Sequence, residues 1–314
     1  MSKIATREAY GKALVRLGTE NKDIVVLDAD LSKSTKTSDF AKAFPQRFFD
    51  MGVAEQNMLG TAAGLAAAGK IPFASSFAMF ATGRAFEQIR NSIAYPALNV
   101  KIAATHAGIS VGEDGASHQT VEDIAIMRAL PNMTVIVPAD ATETEMAVNA
   151  AVKIHGPIYL RLGRLALPVL FDENYRFEVG RANTVRDGSD VTVIACGLMV
   201  GEALQAAERL SVENISVRVI NMHTVKPIDR DAITKAARET KAVVTAEEHN
   251  IIGGLGSAVA EVLTRTFPVV QEMVGVKDTF GESGVPAELL EKYGLTAKAI
   301  VNAVKRVIER KTVS

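Results

Sequence analysis

Several residue types that mark particular classes of protein are scarce in this sequence of 314 residues. The single cysteine, Cys196, excludes an internal disulfide and is typical of a protein in a reducing compartment. Tryptophan is absent and aromatic residues make up only 5% of the chain, while alanine is abundant. Small side chains in place of large aromatic ones favour close packing of helices on sheets over a β-sandwich.

The sequence also has no large excess of positive or of negative charge. The 35 Lys and Arg residues nearly balance the 36 Asp and Glu residues, and the formal net charge is −1. No overall field therefore attracts nucleic acid or an anionic membrane. No apolar run is long enough to cross a bilayer, and residues 1–18 are charged and helix-like, without the apolar core of a signal peptide. We expect a cytoplasmic protein with no nucleic-acid or membrane partner.

The remaining composition, 48% hydrophobic and 23% charged, is that of an ordinary globular protein, and the length suits two domains. In the first half, apolar runs without period-two alternation are separated by helical segments. This pattern indicates a mostly parallel sheet covered by helices on both faces. Strands are predicted at residues 23–29, 47–53, 71–76, 100–105, 134–138 and 157–162, with helices at residues 87–94, 122–129 and 142–154.

The alternation breaks down between residues 163 and 190, which are polar, irregular and rich in turn-forming residues. We therefore predict a larger first domain over residues 1–165, a linker over 166–190 and a smaller domain over 191–314. Both domains are predicted to be doubly wound α/β folds. In the second, strands are predicted at residues 191–196, 215–220, 242–247 and 269–274, and helices at 199–210, 229–239, 256–266 and 296–310.

Glu55 lies where a strand-like apolar run gives way to an Ala- and Gly-rich helix, within residues 48–68. This stretch contains no Lys or Arg to pair with it, so burial of the junction would favour a neutral carboxyl group that donates a hydrogen bond. The alternative is a buried capping residue on a core helix. Gly60 and Gly64 each cost about 1 kcal/mol in a helix interior, and close approach of another helix would compensate.

Residues 105–122 follow one predicted strand and precede a helix, which puts them at the carboxyl edge of the sheet, where open α/β sheets bind ligands. Imidazoles and carboxylates in this loop suit a metal site, a site for sugar hydroxyls, or a proton shuttle. Their spacing leaves these open, although the lack of a compact His-x-x-x-His pattern makes a metal the weakest choice; a polar surface loop is the simpler alternative. The residues concerned are His106, Glu113, Asp114 and His118, interleaved with Gly108, Gly112 and Gly115.

Two further pairs of residues lie at or just after predicted strands. Phe77 and Phe80 are either core residues or a flat apolar wall for an aromatic ring. Arg161 and Arg164 suit a phosphate or carboxylate, which a guanidinium group binds through paired hydrogen bonds, and for Arg161 an interdomain salt bridge is an equal alternative.

The second domain contains one suggestive segment, residues 247–249 (EEH) followed by the glycine-rich residues 253–257. A glycine turn at a helix N-terminus can hold an anion, but a tight turn from strand to helix needs glycines for its own geometry. Cys196 is interpreted as a buried strand residue. His223 has no role that the sequence reveals.

Five segments occur in one order along the chain: DADLSKS (28–34), GVAEQNM (52–58), SSFAMFATGRAFEQIR (75–90), THAGISVGEDGASHQ (105–119) and LRLGR (160–164). Together they resemble the C-terminal half of a transketolase, an enzyme that depends on thiamine diphosphate. The resemblance extends over nearly the whole chain and is densest in the first domain. Deoxyxylulose-phosphate synthase and the beta subunits of 2-oxoacid dehydrogenases are related alternatives, but they are less similar in the GEDG-x-x-H-Q loop. A non-catalytic scaffold or regulatory module is the alternative that is not an enzyme.

The resemblance implies a cofactor site on the first, pyrimidine-binding domain. Glu55 corresponds to the glutamate that hydrogen-bonds the aminopyrimidine ring of thiamine diphosphate and is expected to be catalytic. Phe80, with Phe77 beside it, corresponds to the aromatic pocket for that ring. Asp30 is expected to approach the cofactor.

The resemblance also implies a sugar-phosphate site. The terminal phosphate would be bound by Ser34 and Arg164, with Arg161 as a further candidate. The residues that hold sugar hydroxyls and assist proton transfer are His106, Asp114 and His118, and the two histidines are expected to be catalytic.

Members of this family bind the diphosphate and its magnesium ion through a GDG motif followed by Asn, on a domain ahead of the matched segment. This sequence contains GEDG and RDG but no such motif, so we expect a partner subunit to hold the diphosphate and the metal, and no metal ligand on this chain. Gly60 and Gly64 would then lie at a close subunit interface, and an assembly of two copies of each chain is expected. The predicted activity is transfer of a two-carbon ketol unit from a ketose phosphate to an aldose phosphate.

Overall fold

A computed structural model describes residues 2–313, and their strands form three sheets of seven, five and two strands. In chain order the strands are β1 (Lys3–Ala5), β2 (Ile24–Asp28), β3 (Phe48–Asp50), β4 (Ile71–Ser75), β5 (Lys101–Ala104), β6 (Thr134–Ile136), β7 (Ile158–Arg161), β8 (Ala166–Pro168), β9 (Asn183–Arg186), β10 (Val191–Ala195), β11 (Val217–Asn221), β12 (Thr224–Lys226), β13 (Ala242–Asn250) and β14 (Val270–Val276).

Helices cover both faces of the two larger sheets. The α-helices are α1 (Thr6–Glu20), α2 (Ser32–Thr35), α3 (Ser38–Ala43), α4 (Glu55–Ala67), α5 (Asp123–Ala129), α6 (Ala141–Lys153), α7 (Met199–Ser211), α8 (Arg230–Thr240), α9 (Leu255–Arg265), α10 (Pro286–Lys292) and α11 (Ala297–Val313). Short 3-10 turns occur at Pro45–Arg47 and Ile109–Val111, and π-helical segments at Phe80–Arg84 and Gln88–Ala94.

The seven-stranded sheet has the order β12-β6-β7-β5-β4-β2-β3 and is parallel except for β12. Successive residues of β2 enter two different cores because side chains alternate across a strand. Ile24 and Val26 pack with α1 and α6, whereas Val25 and Leu27 pack with α4. The predicted parallel sheet with helices on both faces is confirmed.

The five-stranded sheet has the order β14-β13-β10-β11-β9 and is parallel except for β9. Helices α7 and α11 cover one face, and α8 and α9 cover the other. The second α/β domain is therefore also as predicted. Within the described part of the chain, none of the helices combines the length and apolar character needed to cross a bilayer.

The two halves of the chain are interleaved. β12, which follows β11, leaves the second sheet and pairs antiparallel with β6 at the edge of the first. One apolar core also continues from the first sheet to Ile194, Cys196 and Ile220 of the second half. Cys196 is buried as predicted, one residue past β10. The domain boundaries at residues 165 and 191 remain a prediction.

Two predicted elements differ in length for identifiable reasons. The strand expected at residues 47–53 ends at Asp50, because Gly52 has a φ of +70° and its N–H is bound by the Asp50 carboxylate at 3.0 Å. The strand expected at residues 242–247 runs on to Asn250, whose N–H donates to the Val121 carbonyl at 2.8 Å in the first domain. The helix expected at residues 87–94 is π-helical. The patterns missed several elements too short to show a period: β1, β8, β9, β12, α2, α3 and α10.

A buried ionic cluster joins the two domains. Arg161, at the end of β7, binds Asp123 at the start of α5 through Nε–Oδ2 (2.7 Å) and Nη2–Oδ1 (3.2 Å). Its Nη2 also donates to the backbone carbonyl of Glu248 at 2.8 Å, and Tyr159 donates to Asp123 at 2.6 Å. Burial acts to raise the pKa of Asp123, but the Arg161 charge, together with His249 and the hydrogen bonds from Arg161 and Tyr159, outweighs it and holds that pKa below its usual range.

We expect Asp123→Asn to lower the free energy of unfolding by about 3–5 kcal/mol, because it leaves the buried Arg161 charge without its main partner. Urea denaturation would measure the change. Asp231→Asn is the matched control, since Asp231 pairs with Arg181 at 3.6 Å on the surface and is 92% exposed; it should change stability by no more than about 0.5 kcal/mol. Equal effects of the two substitutions would contradict a role for the cluster in holding the domains together.

Candidate active site

Five segments that follow parallel strands meet at the carboxyl edge of the seven-stranded sheet. Hydrogen bonds continue the ladder beyond the strand ends, as in Met51 N to Asp28 O (2.8 Å), Thr105 N to Ser76 O (3.0 Å) and Leu162 N to Ala104 O (2.8 Å). The strand order also reverses around β2, with β3 on one side and β4 on the other. Such a reversal leaves a crevice at the carboxyl ends, where α/β folds bind ligands. The sequence motifs at 28–34, 52–58, 75–90, 105–119 and 160–164 are thus brought together.

Glu55 is the first residue of α4 and is only 1% exposed. Its Oε2 accepts a hydrogen bond from Arg84 Nη1 at 2.6 Å, and its Oε1 accepts one from Ser76 Oγ at 3.2 Å. Residues 48–68 contain no Lys or Arg that could pair with Glu55, and the fold instead supplies a cation, Arg84, from a distant segment. The condition stated for Glu55 in the sequence analysis, burial of the junction, holds in the structure.

Phe77, Phe80 and the His106 imidazole form a stacked aromatic group, which Arg84 links to Glu55. The Phe77 ring lies parallel to His106 with centroids 3.8 Å apart, and Phe80 lies parallel to Phe77 at 6.1 Å. Phe77 is buried, whereas Phe80 is partly exposed and carries the Arg84 guanidinium 4.7 Å from its ring centroid. His118 meets the Phe80 ring edge-on at 5.1 Å. Phe80 thus presents the accessible aromatic surface.

His106 is held as a neutral imidazole of one tautomer. Its Nε2 lies 3.1 Å from Arg7 Nη1, which can only donate, so Nε2 accepts and the proton resides on Nδ1, 2.8 Å from Thr105 Oγ1. Burial, reinforced by the charges of Arg7, Arg164 and His118, lowers the pKa of His106 to about 3. His106 also has a φ of +55°, which is uncommon for a residue other than glycine and is often found at functional sites.

Arg7 is a site residue that the sequence analysis missed. From the first turn of α1 it donates to His106 and, at 3.0 Å, to the backbone carbonyl of Ser34. Its Nε is buried without a hydrogen-bond partner among the residues that the structure describes. Burial and the Arg164 charge lower the pKa of Arg7, so two guanidinium groups face one region. No local pattern marks an arginine in an ordinary charged helix, and only the fold reveals this position.

Arg164 and the acidic residues of the long loop face each other at the open side of the site. Arg164 Nη1 donates to the Val111 carbonyl at 2.7 Å and lies 3.5 Å from Asp114 and 3.6 Å from Glu113. All three side chains are at least one-third exposed, so they can exchange these contacts for a ligand.

Asp30 and Ser34 lie on the segment that follows β2. Asp30 is exposed, has a φ of +62°, and donates its backbone N–H to Asp50 at 3.2 Å. Ser34 is half-buried in α2, close to Arg7. Both residues are therefore near the site, and their assigned roles remain predictions.

Two predicted features lie away from the open site. Arg161 is buried in the interdomain cluster, which favours the salt-bridge interpretation over a phosphate ligand. The helix N-terminus at residues 253–257 is occupied by the chain's own anion, since Glu247 accepts hydrogen bonds from the N–H groups of Leu255 and Gly256, each at 2.7 Å. Among residues 2–313, no cluster of three or more His, Cys, Asp and Glu side chains could hold a metal ion.

Gly60 and Gly64 lie on the exposed face of α4. A Cβ atom built on either would meet no atom within 4 Å beyond the backbone of its own helix and its chain neighbours. Nothing inside the described chain therefore requires glycine at these two positions, and the subunit interface expected for them remains a prediction.

Comparisons with known proteins agree with these features. Residues 2–169 match the model of the transketolase pyrimidine-binding domain, and residues 180–300 match that of the transketolase C-terminal domain. A putative transketolase C-terminal section from Methanocaldococcus jannaschii is 52% identical over 306 residues, which cover 96% of this chain and 95% of that protein. A 6-deoxy-6-sulfo-D-fructose transketolase subunit from a Clostridium species is 46% identical over 97% of this chain and 95% of its own length.

Solved structures and longer relatives give the same assignment. A structure described as a split gene transketolase, inactive beta4 tetramer, is 62% identical and superposes with a TM-score of 0.92 over 98% of this chain and 99% of that one. Human transketolase is 40% identical over 98% of this chain but only 50% of its own length. By sequence and by structure, over nearly its whole length, the chain belongs to the transketolase family.

Proposed function

We propose that this chain is the subunit of a two-chain transketolase that binds the pyrimidine ring of thiamine diphosphate and the sugar phosphates. The enzyme would transfer a two-carbon ketol unit from a ketose phosphate to an aldose phosphate. The observation that carries the proposal is the buried Glu55 carboxylate at the start of α4, linked through the Arg84 guanidinium to the partly exposed ring of Phe80.

The residues at Glu55 fit an aminopyrimidine ring because a group of similar chemistry already lies there. The Arg84 guanidinium is flat, donates an N–H to Glu55 at 2.6 Å and lies over Phe80 at 4.7 Å. A protonated aminopyrimidine is likewise flat and donates N–H groups. Arg84 is 46% exposed and can move into solvent when such a ring enters.

When bound, thiamine diphosphate supplies the electron sink for cleaving the ketose. Glu55 would hold a proton between its carboxylate and the ring nitrogen, and its burial strengthens that hydrogen bond by excluding water. Phe80 would stack on the ring with offset geometry.

The sugar would lie against the loop that contains His106, Asp114 and His118. A neutral His106 can exchange hydrogen bonds with a hydroxyl group without carrying a charge into the buried side of the site. Asp114 is exposed and accepts hydrogen bonds, which suits hydroxyl groups farther along the sugar.

The terminal phosphate would be bound by Arg164 and Ser34. Arg7 lies beside both, and the two guanidinium groups together favour a dianion. This arrangement supports phosphorylated sugars as substrates rather than 2-oxoacids.

A partner subunit would hold the diphosphate group and magnesium, since this sequence lacks the GDG motif. Two similar proteins are named as a C-terminal section and as a split-gene form, and the latter is described as inactive as a beta4 tetramer. We propose two copies of each chain in the active assembly, with the exposed Gly60 and Gly64 face of α4 in a close interface. A cytoplasmic setting remains a prediction from the single cysteine.

Mixing the chain with its partner subunit, thiamine diphosphate, magnesium and a ketose phosphate should give ketol transfer to an aldose phosphate. Glu55→Gln should lower kcat by about a hundredfold or more, because the amide cannot share a proton with the ring. Glu208→Gln, an exposed change on α7, is the control and should keep full activity. Absence of transfer by the reconstituted wild type, or full transfer by Glu55→Gln, would overturn the proposal.

His106 should show no titration between pH 5 and pH 8, because burial and neighbouring charges lower its pKa to about 3. Imidazole NMR signals, assigned by their loss in His106→Gln, would measure this. The folded pKa lies below the unfolded value of about 6.5. Protonation of His106 in the unfolded chain should therefore weaken folding as the pH falls from about 6.5 toward 3. A titration midpoint near 6.5 would contradict the neutral role.

Arg164→Gln should raise the KM of a phosphorylated ketose by about tenfold or more, the value of one charged hydrogen bond, while the KM of the same ketose without phosphate stays unchanged. Initial-rate kinetics on both sugars would separate the two effects. Arg209→Gln, exposed on α7, is the matched control. Equal losses for both sugars would assign Arg164 to something other than the phosphate.

A further inference from the structure

The loop that contains His106 packs against the second domain over most of its length. Ile109 belongs to the core of the second domain, together with Val193 and Val244 of the second sheet. At the far end of the loop, the Gln119 amide donates to the Glu282 carbonyl at 2.9 Å. A Cβ on Gly112 would lie 2.8 Å from Pro286, so that side of the loop is in close contact as well. The second domain therefore supports this loop through packing contacts along most of its length.

Glu248 makes the most direct contact with the His106 end of the loop. Its Oε1 accepts the backbone N–H of Ser110 at 2.6 Å, in a buried setting. A Cβ built on Gly108 would lie 2.3 Å from the Glu248 carboxyl carbon, and Gly108 has a φ of +83°. The loop thus contacts this carboxylate with its backbone, two and four residues beyond His106.

The Glu248 side chain is itself fixed by the interdomain cluster. Arg161 Nη2 donates to the Glu248 backbone carbonyl at 2.8 Å, and Nη1 lies 3.9 Å from Glu248 Oε2. Arg161 is in turn bound by Asp123 through two hydrogen bonds. Glu248 is therefore held at both its backbone and its carboxylate, as a residue that fixes the position of another segment must be.

We propose that Glu248 is a positioning residue for the sugar site: by binding the Ser110 N–H it fixes the loop that carries His106 and Asp114. This inference rests on the proposed function, because it assigns the second domain a part in sugar binding without contact with the sugar. The chemistry of the contact is a backbone N–H held by a carboxylate, so both the reach and the acceptor oxygen of the side chain matter.

Glu247 provides an internal comparison, since adjacent strand residues point to opposite faces. Glu247 is as deeply buried as Glu248 but binds the N–H groups of Leu255 and Gly256 at the start of α9, within the second domain. Its loss should therefore weaken the second domain without releasing the His106 loop.

Three substitutions of Glu248 separate positioning from a general structural role. Glu248→Asp keeps the charge that faces Arg161 but draws the carboxylate away from Ser110. Glu248→Gln keeps an oxygen within reach of the Ser110 N–H but removes the charge. Glu248→Ala removes both. If Glu248 acts by positioning Ser110, the Asp and Ala variants should show similar defects in sugar KM and loop exchange, and the Gln variant should behave much like the wild type. If its role is purely electrostatic, the Gln variant should resemble the Ala variant and the Asp variant should resemble the wild type.

The first measurement is steady-state kinetics on the assembly of this chain with its partner subunit. The KM of the sugar phosphate should rise about tenfold in Glu248→Asp, the value of one buried hydrogen bond, while the half-saturating concentration of thiamine diphosphate is unchanged. Glu247→Ala should leave the sugar KM unchanged at a temperature where it is folded. A sugar KM unaffected in Glu248→Asp, or raised equally in Glu247→Ala, overturns the inference.

The second measurement does not depend on activity. Hydrogen exchange of residues 106–120 in the full chain should speed up in Glu248→Asp and not in Glu247→Ala. This result would support the positioning role even if the assembly proved not to be a transketolase, and unchanged exchange in Glu248→Asp would refute the role whatever the enzyme does. If Glu248→Ala does not fold, the Asp and Gln variants alone decide between the positioning role and the purely electrostatic role.

Discussion

The structure depends on one buried guanidinium group. Arg161 is the last residue of β7. Its side chain binds Asp123, the first residue of α5, and donates a hydrogen bond to the backbone carbonyl of Glu248 in β13. Burying such charges is expensive, and an ion pair in an interior is weak evidence for stability by itself. Its value is geometric: a planar group with hydrogen bonds in fixed directions allows one arrangement of the three segments. The pairing of β12 with β6 and the apolar core shared by the two domains then add contacts around this arrangement.

The same cationic character has two consequences at the open edge of the site. Burial lowers the pKa of His106 most, and the charges of Arg7 and Arg164 lower it in the same direction, so the imidazole stays neutral where a sugar hydroxyl would meet it. They also make the region favourable for an anion, as the terminal phosphate of a sugar would be. The positive charge of Arg7 and Arg164 thus helps to keep His106 uncharged and also attracts a phosphate group. A substitution of either arginine should alter both effects.

Much of the fold and part of the site could be predicted from the sequence because the relevant signals are local. Uninterrupted apolar runs such as residues 24–28 report strands buried on both faces, and Glu55, His106 and Asp114 stand in motifs that follow strands directly. Arg84, Arg7 and Glu248 could not be predicted in their roles, since each acts on a segment far away along the chain. The short strand β12 was missed for the same reason: its pairing with β6 is formed across about ninety residues of chain, and three residues show no period.

Arg84 resolves a conflict that any site of this kind contains. A carboxylate that must bind a flat cationic ring has to be buried, yet a buried carboxylate without a partner is costly. Arg84 provides the partner from a position that is nearly half exposed, so its guanidinium returns to water at little cost when another donor takes its place. The chain can therefore fold with Glu55 already buried at the start of α4. Under the proposed function, the carboxylate would be positioned before the cofactor ring arrives, and binding would exchange one planar N–H donor for another.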